Sequence, residues 1–453
     1  MIRDWQLALT EPGAIAAPDA LPSTLEWIAA IAPGTAAQAL QAAGRWTLDR
    51  PEPLHDKDIW YRAHFAGSGK RTLRFGGLAT IAEVWLNGVR ILTSDNMFLA
   101  HDVDVALTGD NELAIAFRSL DQALAAKKGR ARWRTRLVEN NALRLVRTTL
   151  LGHMTGWAPA AHVVGPWRAI EIVDEVRDVD LHATLEGDDG MLTVSLSAKA
   201  EARVTVAGKS LALSPAPGGR FAGSLRLPGI AKWWPHTHGA SALHRVRAEI
   251  DGIEVDLGPV GFRSLAVDKG ADGKGFTLVV NGQPIFARGA CWSASDLVSL
   301  AGDRAALRPW LELARDAHMN MIRVGGTMVY ESEDFFALCD ELGILVWQDF
   351  MFANMDYPIA DAAFRANVEN EAAQFVDRTR RHPSLAVLCG GSEVAQQVAM
   401  MGLPSELWSG PLYDEVLPAI ARARRPDAAY VANSPSGGDL PFSTDAGVSH
   451  YYG

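Results

Sequence analysis

The sequence has few cysteines, no long apolar run and no excess of positive charge, and these absences exclude several classes of protein. Three cysteines, an odd number in apolar surroundings, fit reduced core thiols better than disulfides or a metal site: Cys291, Cys339 and Cys389. No apolar run reaches the roughly 18–20 residues that a membrane helix needs. The 43 basic against 53 acidic residues give a net charge of −10 without a basic cluster, so neither nucleic acid nor a membrane is expected as a partner.

The start of the chain also lacks a basic region followed by an apolar core, so no signal peptide is visible. We therefore expect a cytoplasmic location, with a periplasmic or secreted one left open. A length of 453 residues is too great for one core and predicts two to four domains. The 14 tryptophans are many for this length. Most are expected to fill cores, but indole faces also suit the C–H faces of sugars.

Alternating patterns in the first part of the chain predict strands. Leu113, Ile115 and Phe117 alternate with smaller or polar residues, and the pair Asn87-Gly88 after Val84-Trp85-Leu86 is a strong hairpin signal. These runs predict a jelly-roll-like β-sandwich over residues 1–174. A second stretch of strands, residues 175–268, has the length of a small immunoglobulin-like β-sandwich.

The period changes after residue 269, where strands alternate with helices and predict a parallel sheet. Ser332 is the expected N-cap of one helix and Gly343 its stop, and Leu307, Trp310, Leu311 and Ala314 mark one face of another. About six strands are predicted, the last at Gly447–Tyr451. A closed (β/α)8 TIM barrel takes eight strands and roughly 250 residues, so either residues 269–453 form only the N-terminal portion of a barrel, or the barrel is unusual.

Glu393 is the strongest candidate for a catalytic residue. It directly follows a short apolar run, Leu385 to Leu388, and the sequence Cys-Gly-Gly-Ser. The C-terminal ends of barrel strands build active sites, so a carboxylate there is a candidate proton donor or acceptor. The alternative is a solvated acid that caps the next helix.

Several motifs together resemble glycoside hydrolase family 2, within it the β-mannosidase-like branch, and the resemblance runs through the whole chain. The motifs are Ile59-Trp60-Tyr61-Arg62, Val84-Trp85-Leu86-Asn87-Gly88, Gly156-Trp157-Ala158-Pro159, Gly165-Pro166-Trp167-Arg168, Asn320-Met-Ile-Arg323, Tyr330-Glu-Ser-Glu-Asp-Phe-Phe336, the run from Leu338 to Phe352, and Arg381-His382-Pro383-Ser384.

The resemblance implies an enzyme, a retaining exo-glycosidase that hydrolyses terminal β-linked sugars with two carboxylates, one acid/base and one nucleophile. Glu393 matches the acid/base. The nucleophile belongs on a seventh strand beyond residue 453, so we expect these residues alone to be inactive. Glu331, Glu333 and Glu369 are expected on solvated faces or as caps. No cofactor or metal is implied, the expected partner is a carbohydrate substrate, and the oligomeric state stays open.

The resemblance also implies a set of substrate-binding residues. Arg323 matches an arginine held against the nucleophile, with a structural ion pair as the alternative, and Trp292 and Asp296 match residues that hold the terminal sugar. The further candidates lie on the expected active face: Asn354, Asp356, Ser392, His450, Tyr452 and, from the first domain, Trp157.

Two departures from the family pattern bear on the substrate. Ser392 stands where the family usually has Asn before the acid, and Gly325 removes an indole that would wall the sugar subsite. Exo-β-glucosaminidase relatives also have Ser before the acid. The alternatives to a β-mannosidase-like activity are therefore an exo-β-glucosaminidase-like hydrolase and a carbohydrate-binding protein without catalysis.

Overall fold

Strands dominate the first part of the chain in the computed structural model, which describes residues 2–127, 129–154, 156–173 and 178–451. The long β3 and β6 pair antiparallel from Ile59↔Phe117 to Phe75↔His101, and the sheet order is β2-β1-β3-β6-β4-β5 with β7 beside β3. The elements are β1 Trp5–Thr10, β2 Ile28–Ala30, α1 Ala36–Ala42, β3 Asp58–Phe75, β4 Ala82–Leu86, β5 Val89–Ser94, β6 His101–Phe117, α2 Leu120–Ala126 and β7 Ile170–Val173.

The predicted hairpin at Asn87-Gly88 is confirmed as the β4–β5 turn. Both turn residues have a positive φ, 51° for Asn87 and 78° for Gly88. A type I′ turn needs that conformation at both positions, and its twist matches that of the flanking strands. The alternation in β6 is likewise borne out, because Leu113, Ile115 and Phe117 belong to one apolar core and the residues between them, Ala114 and Ala116, to another.

Two antiparallel four-stranded sheets follow, with the orders β12-β13-β9-β8 and β11-β10-β14-β15. Every second residue of β9 is buried, including Leu192, Val194 and Leu196, and the two sheets share one apolar core. The strands are β8 Val179–Glu186, β9 Asp189–Ser197, β10 Ala202–Val206, β11 Lys209–Ala212, β12 Ser214–Ala216, β13 Arg220–Leu227, β14 His244–Ile250 and β15 Ile253–Val260.

The last part of the chain contains a small antiparallel sheet, β16-β17-β18, and five parallel strands in sequence order from β19 to β23. The described residues do not close this parallel sheet into a barrel. The elements are β16 Leu265–Asp268, β17 Thr277–Val280, β18 Gln283–Ile285, β19 Gly289–Trp292, α3 Arg304–Asp316, β20 Met321–Val324, α4 Glu333–Leu342, β21 Leu345–Asp349, α5 Ala362–Arg378, β22 Leu385–Ser392, α6 Val394–Met400, α7 Leu417–Arg424 and β23 Ala429–Ser434.

Local signals predict α4 well and α3 in part. The Ser332 hydroxyl accepts from the Phe335 N–H, and Gly343 ends α4 with φ 66°, as an N-cap and a left-handed C-cap require. Of the residues on the predicted face of α3, Leu307 and Leu311 are fully buried, whereas the Trp310 side chain is 53% exposed. Trp310 lies at the edge of the apolar stripe of α3.

Two further predictions need correction. The expected sixth strand at Gly447–Tyr451 is wrong, because only Val448 forms a bridge there, antiparallel to Ser436. Cys339 and Cys389 are buried as expected, but Cys291 is exposed. Cys291 lies on β19, the first strand of the open sheet, where no described strand pairs with its outer edge.

A buried ion pair joins the N-terminal sheet region to the parallel strands. The Arg147 guanidinium donates to both carboxylate oxygens of Glu371 on α5, each over 2.7 Å, and both side chains are 1% exposed. Asn96 and Tyr330 also donate to Glu371. Arg147 in addition donates to the Met351 carbonyl, just after β21. The segment that carries Arg147 is therefore fixed against the strand ends.

Candidate active site

Glu393 lies immediately after β22, a strand in which all eight residues are buried. Its backbone has φ 57°, and its N–H donates to the Ser434 carbonyl over 2.9 Å. Its side chain makes no capping hydrogen bond to α6. The alternative of a helix cap is therefore not the geometry found. The left-handed backbone leaves the carboxyl group, 18% exposed, at the C-terminal edge of the sheet.

Beside Glu393, the ends of β20 and β21 are joined by an ion pair between Arg323 and Asp349. Nη2 of Arg323 donates to Oδ2 of Asp349 over 2.7 Å, and Asp349 is fully buried. The Trp347 indole N–H and the Gly326 N–H also donate to this carboxylate, over 2.9 and 3.2 Å. Burial lowers the pKa of Arg323, but the attraction of Asp349 outweighs it and raises the pKa overall.

The close approach of Gly326 to neighbouring backbone explains why the second residue after β20 is a glycine. A Cβ on Gly326 would lie 2.7 Å from the Phe352 carbonyl oxygen and 2.9 Å from that of Phe350, so a larger residue would push the loop off Asp349. A Cβ on Gly325 would meet nothing within 4 Å. The position where the family pattern has an indole is thus open space in this chain.

Arg323 also reaches two other predicted site residues. Its Nη2 donates to the Ser392 hydroxyl over 3.2 Å, and Nη1 lies 3.5 Å from Nε2 of His450, which is also 3.1 Å from the Ser434 hydroxyl. Because a guanidinium can only donate, Nε2 of His450 accepts and its proton is on Nδ1. Nδ1 faces Glu393, 3.8 Å from Oε1.

His450 is neutral at pH 7. Burial, reinforced by the positive charge of Arg323, lowers its pKa to about 4. The 3.8 Å approach to Glu393 is therefore a contact between a neutral ring and a carboxyl group, not an ion pair. The only full positive charge that bears on the acid from this cluster is that of Arg323.

The pKa of Glu393 is raised above its ordinary value. Burial is the main cause, and the negative charge of Asp349 adds to it, while Arg323 partly opposes both. A carboxyl group that keeps its proton toward neutral pH is able to protonate a leaving group. The site thus places a carboxyl group with a raised pKa beside a charged pair whose acid accepts two further hydrogen bonds, from Trp347 and Gly326.

Asn354 lies next to this cluster. Its N–H donates to the Ser392 carbonyl over 3.1 Å, its φ is 52°, and its side-chain Oδ1 is buried without a hydrogen-bond partner. An unpaired buried acceptor costs free energy, so this oxygen is available to a hydrogen-bond donor from outside the protein. Asp356 is differently engaged, because its carboxylate accepts from the backbone and the guanidinium of Arg132 in the N-terminal region.

The remaining predicted residues lie outside the cluster. The Trp292 indole N–H donates to Glu331, and its ring packs on Phe335 at 5.2 Å. The carboxylate of Asp296 accepts from Val298 and Ser299 in its own loop. Trp157 is 66% exposed, and Tyr452 falls outside the described residues.

Sequence reasoning missed two buried acids. Asp349 was not among the candidates, although it closely follows the apolar run Ile344–Trp347, as Glu393 closely follows an apolar run. Glu331 was expected at a solvated face, and this is wrong, because it is 6% exposed and receives the Trp292 N–H. Glu333 and Glu369 are about half exposed, as expected.

A family model described as the glycosyl hydrolase 2 galactose-binding domain-like matches residues 12–168. A curated protein named Beta-mannosidase B from Aspergillus niger is 32% identical over 432 residues, 85% of this chain and 51% of its own length. The protein of the same name from Aspergillus terreus is 31% identical over 449 residues, 88% of this chain and 53% of its own length.

Solved structures show the same fold. A β-D-mannosidase from Dictyoglomus thermophilum superposes with a TM-score of 0.85 at 24% identity, over 100% of this chain and 59% of that one. An exo-chitosanase from Amycolatopsis orientalis gives 0.68 at 18% identity, over 96% of this chain and 52% of that one. The chain thus spans about half the length of the curated relatives it matches. Among the described residues, no helix has the length and apolar character needed to cross a bilayer.

Proposed function

We propose, because the chain belongs to glycoside hydrolase family 2, that it forms part of a β-mannosidase-like exo-glycosidase in which Glu393 is the general acid and base. The observation that carries the proposal is the position of Glu393 at the end of the fourth parallel strand, with a raised pKa beside the Arg323–Asp349 pair. The names of the relatives support the substrate class. The five parallel strands correspond, in this proposal, to the first staves of an eight-stranded barrel, and residues 178–260 to an immunoglobulin-like sandwich.

The mechanism proposed is retaining, with a covalent glycosyl-enzyme. Glu393 donates its proton to the glycosidic oxygen and later removes one from water, while a second carboxylate about 5–5.5 Å away attacks the anomeric carbon. Asp349 is unsuited to attack, because its two oxygens accept from Arg323, Trp347 and Gly326. The nucleophile is therefore assigned to a residue outside the described part of the chain, on a further strand.

The roles of the other cluster residues follow from their contacts. Arg323 holds Ser392 and His450 in place and would stabilise the negative nucleophile. The unpaired Oδ1 of Asn354 is assigned to a sugar hydroxyl. Trp292 and Asp296 support loops in this arrangement. Contact of Trp292, Asp296 and Trp157 with sugar stays a prediction. The cytoplasmic location also stays a prediction.

A second candidate, an exo-β-glucosaminidase-like activity, is favoured by the sugar subsite. Gly325 leaves open space where the family pattern has an indole, and the Ser392 hydroxyl is occupied by Arg323. Neither feature restricts the sugar 2-position to mannose.

A panel of aryl β-glycosides separates the candidates. The result expected for a retaining β-mannosidase is hydrolysis of the β-mannoside with the β-anomer of the sugar formed first. Proton NMR detects which anomer appears first. Preference for the β-glucosaminide would transfer the proposal to the second candidate. If the protein with a complete active site binds sugars but does not hydrolyse them, both hydrolase candidates are overturned in favour of a carbohydrate-binding function.

A further inference from the structure

Three histidines meet in the N-terminal sheet region, away from the strand ends that carry Glu393. His55 precedes β3, and His153 and His162 lie in the irregular segment between β6 and β7. Their rings are nearly parallel, with centroids 4.3 Å apart for His55 and His162, 4.8 Å for His153 and His162, and 4.9 Å for His55 and His153. One nitrogen of each ring lies within 4.8 Å of the others. These residues form the three-histidine cluster.

The cluster contains an unsatisfied nitrogen. Nδ1 of His55 is buried without a hydrogen-bond partner, in a side chain that is 3% exposed. The other nitrogen of this ring hydrogen-bonds the Val163 backbone, which is the arrangement found for metal-bound histidines. The His55 carbonyl is itself fixed, because it accepts from the Ser119 hydroxyl and the Asp121 N–H. The unpaired lone pair therefore belongs to a rigidly held ring.

Burial lowers the pKa of all three imidazoles and so favours the neutral form that binds metals. Repulsion from neighbouring rings adds to this effect for His55, and for His153, whose pKa is about 3. Three carboxylates, of Asp56, Asp121 and Glu139, act on His162 with negative charge. The cluster thus presents neutral nitrogen ligands in a field that attracts a cation.

We propose that His55, His153 and His162 bind one first-row divalent transition metal of the zinc class. Imidazole nitrogens suit Zn²⁺, Co²⁺, Ni²⁺ and Cu²⁺ and not Mg²⁺ or Ca²⁺. Zn–N bonds of about 2.0–2.1 Å require nitrogens about 3.3 Å apart in a tetrahedral site. Binding therefore draws the cluster together from its 4.8 Å spread by turning the rings out of their stack.

His162 is the ring with the most freedom to move when the metal binds. It is only partly buried, and its Nδ1 accepts a long hydrogen bond of 3.4 Å from the Leu54 N–H, which a metal bond can replace. Its partial exposure also leaves the fourth position of the metal to water. The role of the ion is structural, because it ties residues 153 and 162 to the loop before β3. The segment so tied also carries Arg147, whose ion pair with Glu371 fixes the strand ends.

Metal titration of the full chain tests the proposal. After removal of metals with a chelator, the protein is titrated with Zn²⁺ by calorimetry and with Co²⁺ by its visible absorption. The expected result is one ion per chain and a higher melting temperature with Zn²⁺, because the ion binds the folded state. We expect metal affinity to fall about 100-fold or more in each of the three variants His55→Gln, His153→Gln and His162→Gln. Loss of a ligand should cost at least as much as loss of a residue that only hydrogen-bonds to a ligand.

The control is His101→Gln. His101 is a partly buried histidine of the same sheet that contacts Ser94 and not the cluster, so its replacement is expected to leave metal affinity unchanged. If His55→Gln or His153→Gln fails to fold, the partly exposed His162→Gln decides the question. The proposal is overturned if the chelated wild type takes up no Zn²⁺ or Co²⁺ at micromolar concentrations, or if His162→Gln binds as the wild type does.

Discussion

At the scale of single residues, Arg323 organises the proposed site. It contacts Asp349, Ser392 and His450, which come from three other parts of the chain. Ser392, His450 and Arg323 itself were predicted from the resemblance to family 2. Asp349 was not, because its importance depends on which strand lies beside β20, and that pairing is not visible in the order of residues.

Replacing Asp349 with Asn is expected to lower the pKa of Glu393. The negative charge of Asp349 raises that pKa, and its loss also leaves the positive charge of Arg323 uncompensated. Because the acid must be protonated to act, the alkaline limb of kcat/KM is expected to move to lower pH in the active enzyme. The matched control is Asp316→Asn, an exposed acid paired with Arg315. An alkaline limb at the wild-type pH would contradict this electrostatic coupling.

At the scale of elements, short-range signals predicted well and long-range ones did not. The turn at Asn87-Gly88 and the ends of α4 are set by neighbouring residues, so the sequence alone predicts them. The three-histidine cluster joins residues 98 and 9 positions apart in sequence, and no spacing rule indicates it. The strand expected at Gly447–Tyr451 is not formed for a related reason, since a strand needs a partner. Among the described residues, only Ser436 pairs with this segment.

The ion pair of Arg147 and Glu371 is expected to stabilise the contact between the first sheet and α5 strongly. Arg147→Met would leave the Glu371 carboxylate buried with only the Asn96 and Tyr330 donors. Loss of one partner of a buried pair costs about 3–5 kcal/mol in the free energy of unfolding. Urea unfolding measures the change. Arg308→Met, at an exposed pair with Glu312 on α3, is expected to cost less than about 1 kcal/mol. Equal effects of the two substitutions would refute the role of burial.

At the scale of the whole molecule, the open edge of the parallel sheet is the main structural feature. Gly289, Ala290 and Cys291 on β19 are exposed, and β19 has a described partner, β20, on one side alone. Exposed strand edges pair readily with further strands or other chains. The described strands do not close, as the sequence predicted, but the described residues contain five parallel strands where six were predicted.

Thiol labelling is expected to report directly on this edge. In the folded chain, Cys291 should react with a maleimide, whereas Cys339 and Cys389, both fully buried, should react only after denaturation. Cys291→Ser is the control and should abolish labelling under native conditions. Mass spectrometry identifies the labelled residue. Protection of Cys291 in the native protein would mean that a further strand or another chain covers β19.

The proton-donor role of Glu393 is the central claim, and the dependence of Glu393→Gln on the leaving group tests it most directly. In the active enzyme, the substitution is expected to reduce the rate about 10²–10⁴-fold on an aryl β-glycoside with a poor leaving group. The loss should be much smaller on an activated aryl glycoside, whose departure needs little protonation. Glu369→Gln, on the exposed face of α5, should match the wild type on both. An equal loss on the two substrates, or wild-type rates for Glu393→Gln, would contradict the account.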